Sequence, residues 1–354
     1  MLISGLFVGI ALGFAMQRGR FCVTGAFRDV WVNRNTRWLS AFLLVVAVQS
    51  VGVFALDALG VIHLQTPAFP WLATIVGGFI FGFAIVLAGG CATGTYYRSG
   101  EGLVGSWLAL ITYALFSAIM KTGALSGFNT AVRSVTIKEN NFYQVLGVSP
   151  WVLVALLAVG VGLAVRHHLS KPKLKFAALP ASRTGLAHLL FEKRWGAFGT
   201  AVVIGLIAIA AWPLSWASGR KDGLGITTPS SNLVNYLVSG KTSLIDWGVF
   251  LVVGILLGSF IAAKGSGEFR VRVPDATTVL KSLGGGALMG IGAALGGGCT
   301  IGNAMVQTAE FSFQGWTALV FMLLGTGVAA KLTIPKRRSA PASTGAPARV
   351  LSNA

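Results

Sequence analysis

Charge is what this sequence has least of. Asp and Glu together number ten in 354 residues, and all charged residues make up only 11%. A soluble protein carries about 25% charged residues, so too few are present to cover a water-facing globule. Histidine is scarce at four and cysteine at three. Three thiols cannot all pair, and with no CxxC spacing anywhere neither a structural disulfide nor a dithiol redox centre is expected. No carboxylate or histidine lies directly beside the cysteines, so no bound metal or cofactor is expected. A Walker motif is missing as well, which argues against intrinsic ATP hydrolysis.

What fills the chain instead is apolar: 54% of residues, with a mean hydropathy of +0.75. Runs free of charge cover residues 1–17, 38–56, 70–88, 103–120, 149–165, 195–218, 247–263, 282–309 and 311–330. Crossing a hydrocarbon core takes about 20 apolar residues as helix, with about 17 as a working minimum. The pattern therefore predicts an all-α polytopic membrane protein of about nine transmembrane helices plus short re-entrant ones. The first run lacks a basic leading segment and a small-residue cleavage site, so it reads as a retained helix.

The formal charge of +18 is unevenly spread. If nine spans alternate with the N-terminus outside, the inner connections and tail hold 22 of the 28 Lys and Arg. Only Lys121, Arg133, Lys138, Arg220, Lys221 and Lys241 fall outside. This is the positive-inside bias, which sets orientation and draws the inner face to anionic membrane lipid. No basic patch is interleaved with stacking aromatics, so nucleic acid is not a partner.

The chain divides into a first membrane half (1–165), a basic cytoplasmic connection (166–194), a second membrane half (195–334) and a small-residue, proline-containing tail (335–354) read as disordered. A short interfacial helix is expected near 185–193. The outer connection 213–246, rich in Gly, Ser and Thr, is expected to fold over the outer mouth.

An internal repeat runs through the two halves. A shift of 208 residues lays Gly78 on Gly286, Gly82 on Gly290, Gly90 on Gly298, Cys91 on Cys299 and Gly94 on Gly302; one insertion then brings Trp107 onto Trp316. Repeats of this kind place a pathway at their interface. A fainter match pairs Gly9 with Gly254 and Gly13 with Gly258. It gives both segments the same orientation, so it is either a coincidence or a sign that one segment is re-entrant. The four-residue spacing of Gly78 and Gly82, and of Gly286 and Gly290, is that of close helix packing.

The glycines beside the thiols differ. "LAGGCATG" and "LGGGCTIG" set Cys91 and Cys299 directly after consecutive glycines, which destabilise a helix and permit positive φ. Broken backbone at membrane depth survives only where protein buries it or a cavity adjoins it. The long run 282–309 is expected to hold a half-helix, a turn and a short re-entrant helix. A helix starting at such a break points free N–H groups and its positive dipole end inward, which suits an anion. The expected substrate-binding residues are Cys22, Cys91, Cys299, Gly90, Thr93, Gly94, Gly298, Thr300, Gly302 and Asn303, the Thr and Asn side chains adding donors. Cys22 follows another glycine break, "QRGRF". The competing reading is that the thiols are small buried hydrophobes. Glu101 and Glu310 end the two cysteine segments at helix boundaries, where charges are more often solvated than functional, and the tryptophans near span ends are interfacial anchors.

The motifs "RGRFCVTGAFRD", "LAGGCATGTYYRSGEG" and "LGGGCTIGNA" closely resemble those of the YeeE/YedE sulfur-transport family, the bacterial thiosulfate transporters, over all of the chain but the tail. The resemblance implies an hourglass-shaped inner-membrane protein, in which the charge bias above sets the N-terminus periplasmic and the C-terminus cytoplasmic. It implies thiosulfate as substrate, passed inward along Cys22, Cys91 and Cys299, and a TusA-like sulfurtransferase as cytosolic companion. The chemistry is compatible: helix-start amides suit the oxygens of the dianion, and protonated thiols in apolar surroundings donate weakly to its soft terminal sulfur. Three alternatives stay open. They are a membrane thiol enzyme cleaving the S–S bond through a cysteine persulfide, a carrier of another sulfur or selenium species, and a structural subunit. The resemblance favours a transporter over an enzyme. Because Cys91 and Cys299 occupy matched breaks whereas Cys22 falls opposite Gly267 in the repeat, Cys91 and Cys299 are expected at the narrowest point and Cys22 towards the exit near Arg18 and Arg20.

Overall fold

The computed structural model describes residues 2–171 and 184–333; the tail expected to be disordered lies outside them, as does part of the basic connection. The described residues are helical, with three isolated backbone bridges and no strand. In chain order the helices are α1 (Ile3–Gly19), α2 (Val23–Val32), α3 (Arg37–Ala58), α4 (Trp71–Leu87), α5 (Ala92–Gly100), α6 (Val104–Lys121), α7 (Ser126–Arg133), α8 (Phe142–Leu146), α9 (Pro150–Leu169), α10 (Gly185–Ala187), α11 (Ala197–Ala217), α12 (Thr227–Ser239), α13 (Trp247–Gly265), α14 (Ala276–Gly296) and α15 (Phe313–Thr333). A π-helical turn extends α10 over His188–Glu192, close to the short helix expected there, and another covers Gly302–Gln307. Nine stretches among the described residues are long and apolar enough to cross a membrane. Two of them, Ile3–Val32 and Trp71–Gly100, are each broken into a longer and a shorter helix.

Glycine contacts give the helix polarities. Gly5 abuts Trp247, Gly9 abuts Leu251 and Gly254, and Gly13 abuts Ile255, so α1 and α13 run parallel. Gly77 meets Gly296 while Gly285 meets Ala88, so α4 and α14 run antiparallel. Gly78 and Gly82 lie against Ala318 and Met322 of α15, and Gly286 and Gly290 against Ala109 and Tyr113 of α6. These two parallel pairs repeat one contact: Ala318 and Met322 stand 209 residues beyond Ala109 and Tyr113. Helix α4 of the first half thus pairs with the last helix of the second, and α14 pairs with α6. Two inverted, interlocked halves result, as close packing through small residues permits.

Plain alternation of nine spans accounts for every one of these polarities. It also disposes of the orientation conflict. The α1 and α13 glycines match because the two helices pack face to face, Gly9 directly on Gly254; both helices have 17 residues or more. The run 282–309 departs from expectation. Its first part is no half-helix but a helix of 21 residues that starts six residues earlier, at Ala276. Asp275 caps it by accepting from the Thr278 N–H, and exposed Lys281 extends from its surface. The internal glycines are absorbed by packing, and the helix ends only at Gly297, whose φ of +82° requires glycine.

Candidate functional site

Each cysteine stands at the start of a helix or turn, just past a chain break. Cys22 is the N-cap of α2 and Cys91 the N-cap of α5, and each sulfur accepts the N–H three residues on, from Gly25 and Gly94, at 3.4 Å. A thiol is a weak substitute for the Ser, Thr, Asp or Asn that usually fills this position, so the remaining first-turn amides stay available. Cys299 precedes the π-turn; the N–H groups of Ile301 and Gly302 face its sulfur, as does the Thr227 side chain at the start of α12. The left-handed glycines before the two matched breaks are themselves matched, Gly89 (φ +70°) and Gly297 (φ +82°).

The three sulfurs share one region. Cys91 lies within electrostatic reach of both Cys22 and Cys299, and the Thr300 hydroxyl faces it. Cys91 and Cys299 are buried, whereas Cys22 is partly open. Cys22 lines a cavity of about 240 Å³ with Arg20, Thr24, Gly25, Arg28, Asp29, Trp38, Gly89 and Arg98. The Arg98 guanidinium donates to the Cys22 sulfur at 3.4 Å and to the Gly89 carbonyl, tying the thiol to the glycine break. Beside the cavity Arg20 bridges Glu101 (3.2 Å) and Glu268 (2.9 Å), and Arg18 lies 3.6 Å from Glu268. Burial pushes the Glu101 carboxyl up against the pull of Arg20. For Glu268 burial acts the same way, but the hydrogen bond from Gln17 and the two guanidiniums outweigh it and hold the carboxyl low.

The other expected residues divide into two groups. The Thr93 hydroxyl is buried and finds no hydrogen-bond partner among the described residues, so it has capacity for a substrate, while the buried Thr300 hydroxyl faces the Cys91 sulfur. Gly94 and Gly302 present amides to the sulfurs of Cys91 and Cys299, and Gly90 packs on the first turn of α5. Asn303 is occupied. Its amide nitrogen donates to the Gly296 (2.7 Å) and Gly298 (3.2 Å) carbonyls, and its oxygen accepts from Gln314 at 3.0 Å. Its role is to hold the Gly296–Gly298–Cys299 turn rather than to donate outward.

Two features escaped the sequence reading. Nothing in the sequence spacing ties Arg98 to Cys22. The connection 213–246 is expected to fold over the outer mouth, yet the start of α12 within it reaches further in. Thr227 accepts from the Tyr113 hydroxyl at 2.9 Å, and Ser230 lies 2.8 Å from the Tyr96 hydroxyl, both pairs fully buried. The run "ITTPSSN", small and hydroxylated, is the only signal that could have suggested it. At the opposite end from Arg20, Lys121 donates to Thr228 at 2.5 Å and lies near Arg133, Arg220 and Asp222.

Comparison with known proteins agrees with this picture. A family profile described as sulphur transport matches residues 18–328. The chain is similar to a protein named thiosulfate transporter TsuA from Escherichia coli strain K12, 54% identical over 348 residues, which is 98% of this chain and 99% of that protein. A thiosulfate transporter TsuA from Spirochaeta thermophila is 32% identical over 340 residues, 92% of this chain and 97% of the relative. A shorter match, 38% over 114 residues and 32% of this chain, is to a probable transporter YedE of Escherichia coli, 27% of which it covers. These relatives are named as transporters, not enzymes.

Proposed function

Because this chain belongs to the YeeE/YedE sulphur-transport family, we propose that it carries thiosulfate across the bacterial inner membrane by handing it along three thiols. The observation that supports this most directly is the file Cys299, Thr300, Cys91, Cys22, which leads from a buried interior to an open cavity lined by Arg20, Arg28 and Arg98. The amides of each helix start receive the oxygens, and each thiol makes a weak contact with the terminal sulfur. Weak sequential contacts let the dianion leave every station, which conduction requires. Asn303 keeps the second turn in shape, and Thr93 and Thr300 supply hydroxyls.

The positive-inside bias orients the Arg20 face to the cytosol, the N-terminus to the periplasm and the C-terminus to the cytoplasm. Cys22 is then the exit station, and Arg98, reaching its sulfur and the cavity, draws the anion out. A TusA-like sulfurtransferase at this basic face is the receiving partner that the family resemblance suggests.

Arg98 also gives the persulfide enzyme its best support, since a cation against a cysteine sulfur is a feature that such chemistry would use. Proteoliposomes supplied with thiosulfate labelled separately on its two sulfurs distinguish the readings. Intact thiosulfate inside is the expected result. Separated labels would establish the enzyme, and no uptake would leave a structural subunit.

A further inference from the structure

The half of the protein away from Cys22 holds a carboxyl that the thiol file does not use. Glu310 follows the π-turn that Cys299 opens, its side chain is buried, and its Oε1 makes no hydrogen bond among the described residues. The repeat identifies its counterpart. The offset that lays Trp107 on Trp316, 209 residues, also lays Glu101 on Glu310. Each precedes a left-handed residue, Gly102 (φ +96°) and Phe311 (φ +54°).

Matched in backbone, the two carboxyls differ in surroundings. Glu101 is ion-paired with Arg20 at 3.2 Å. The groups facing Glu310 are Asp222, from the loop after α11, and Tyr143 of α8, which also senses Asp57 of α3. None is a cation. Arg220 and Lys121 are directed at Asp222 instead. Burial, and then Asp222, push the Glu310 carboxyl well above the ordinary carboxylate range. A buried acid with no cation beside it rests in its neutral form.

Polar atoms able to hold water stand between the outer connection and the segment that carries this acid. Asp222 is 54% exposed at the mouth. On α3, α11 and α15, Ser215 Oγ, Trp212 Nε1, both amide atoms of Gln49 and Trp316 Nε1 are buried without a hydrogen-bond partner among the described residues. Trp212 packs on Gly223, next to Asp222. Ser50, next to Gln49, donates to the Ala309 carbonyl beside Glu310 at 2.7 Å. Such atoms are the usual hosts of internal water, which conducts protons between fixed groups.

We infer that Glu310 binds a proton that travels with the transported anion, so that uptake is proton-coupled. The inference rests on the transport reading above. In each cycle the Glu310 carboxylate gains a proton from water at the Asp222 mouth. Its O–H bond then breaks without redox change, and the proton is released to water on the far side. Moving a dianion against a negative-inside potential is opposed by both charges, and each accompanying proton cancels one.

The test uses the full-length protein in proteoliposomes with a trapped pH-sensitive dye, radiolabelled thiosulfate and a clamped membrane potential. Wild type should acidify the lumen by about one proton per thiosulfate taken up. Glu310→Gln should admit label with acidification reduced at least about tenfold relative to it, and Glu310→Asp should restore part of the signal. Uptake by wild type without acidification overturns the inference and leaves transport standing. So does a Glu310→Gln protein with the wild-type proton-to-label ratio. If Glu310→Gln does not fold, the wild-type ratio alone decides. No label entering wild-type vesicles overturns the transport reading, and this inference with it.

Discussion

Replacing a thiol here removes two things at once, a helix cap and a soft donor. The caps at Cys22 and Cys91 are weak, because each of these sulfurs accepts one backbone N–H at 3.4 Å, and Cys299 only precedes a π-turn. Cys91→Ala and Cys299→Ala should therefore cost only about 1 kcal/mol of stability while cutting thiosulfate uptake by more than about tenfold. Cys91→Ser keeps the cap and supplies a harder donor, so it should fail in the same way. Cys22→Ala, at the open cavity, should slow release more than loading. Thiosulfate-dependent growth measured with membrane expression checks all four; normal uptake by well-expressed Cys91→Ala protein would return the thiols to small core residues. A second residue-scale outcome concerns Glu268. A carboxyl held low in the folded state contributes stability above its unfolded pKa, and that stability is lost as pH falls through the folded value. Glu268→Gln should therefore melt below wild type at pH 7 by at most about 1 kcal/mol, since the group is partly exposed and screened. The gap should close as the pH drops below about 4. A gap that widens in acid would contradict the assignment.

The helices show which parts of the sequence were readable. Nine charge-free runs mark nine spans, because in a bilayer the absence of charge is itself the signal. The glycine–cysteine breaks were legible for a related reason: consecutive glycines have no other use in a membrane helix end. The start of α14 was missed, since Lys281 on its exposed surface ended the charge-free run while Asp275 set the true beginning. Arg98 on Cys22 and Thr227 on Cys299 were not readable at all. They join residues 76 and 72 positions apart (98 minus 22, 299 minus 227), and such contacts depend on packing rather than on local pattern. The four-residue glycine pairs Gly78–Gly82 and Gly286–Gly290 do carry helix contacts. A methyl on Gly82 would collide with the Met322 backbone, and one on Gly290 with the Tyr113 carbonyl and Phe116. Gly82→Ala and Gly290→Ala should each destabilise the protein by about 1–3 kcal/mol. Gly160→Ala and Gly162→Ala on α9, which meet no neighbour, should leave stability unchanged or slightly raised. Thermal melting in detergent separates the two classes, and equal losses in both would undermine the packing account.

At the scale of the molecule the inverted repeat decides what is equal and what is not. The glycine contacts obey it closely, whereas the chemistry departs from it: Cys22 has no thiol counterpart, and of the matched carboxyls only Glu101 is ion-paired. The exchange of partners between halves also governs how the protein is made. Helices α4 and α6 are complete by Lys121, yet the glycine face of α4 and the Ala109–Tyr113 face of α6 are covered by α15 and α14, which lie beyond residue 275. A ribosome must synthesise more than 150 further residues before either groove is filled, so the first half waits in the bilayer with its packing surfaces open to lipid. A chain cut within the basic connection should accordingly give a first half that is degraded when expressed alone and a working, co-purifying pair when both halves are expressed together. Co-purification and uptake measured for the split pair, against each half by itself, check this; a first half that is stable alone would mean that partner exchange places no constraint on biogenesis.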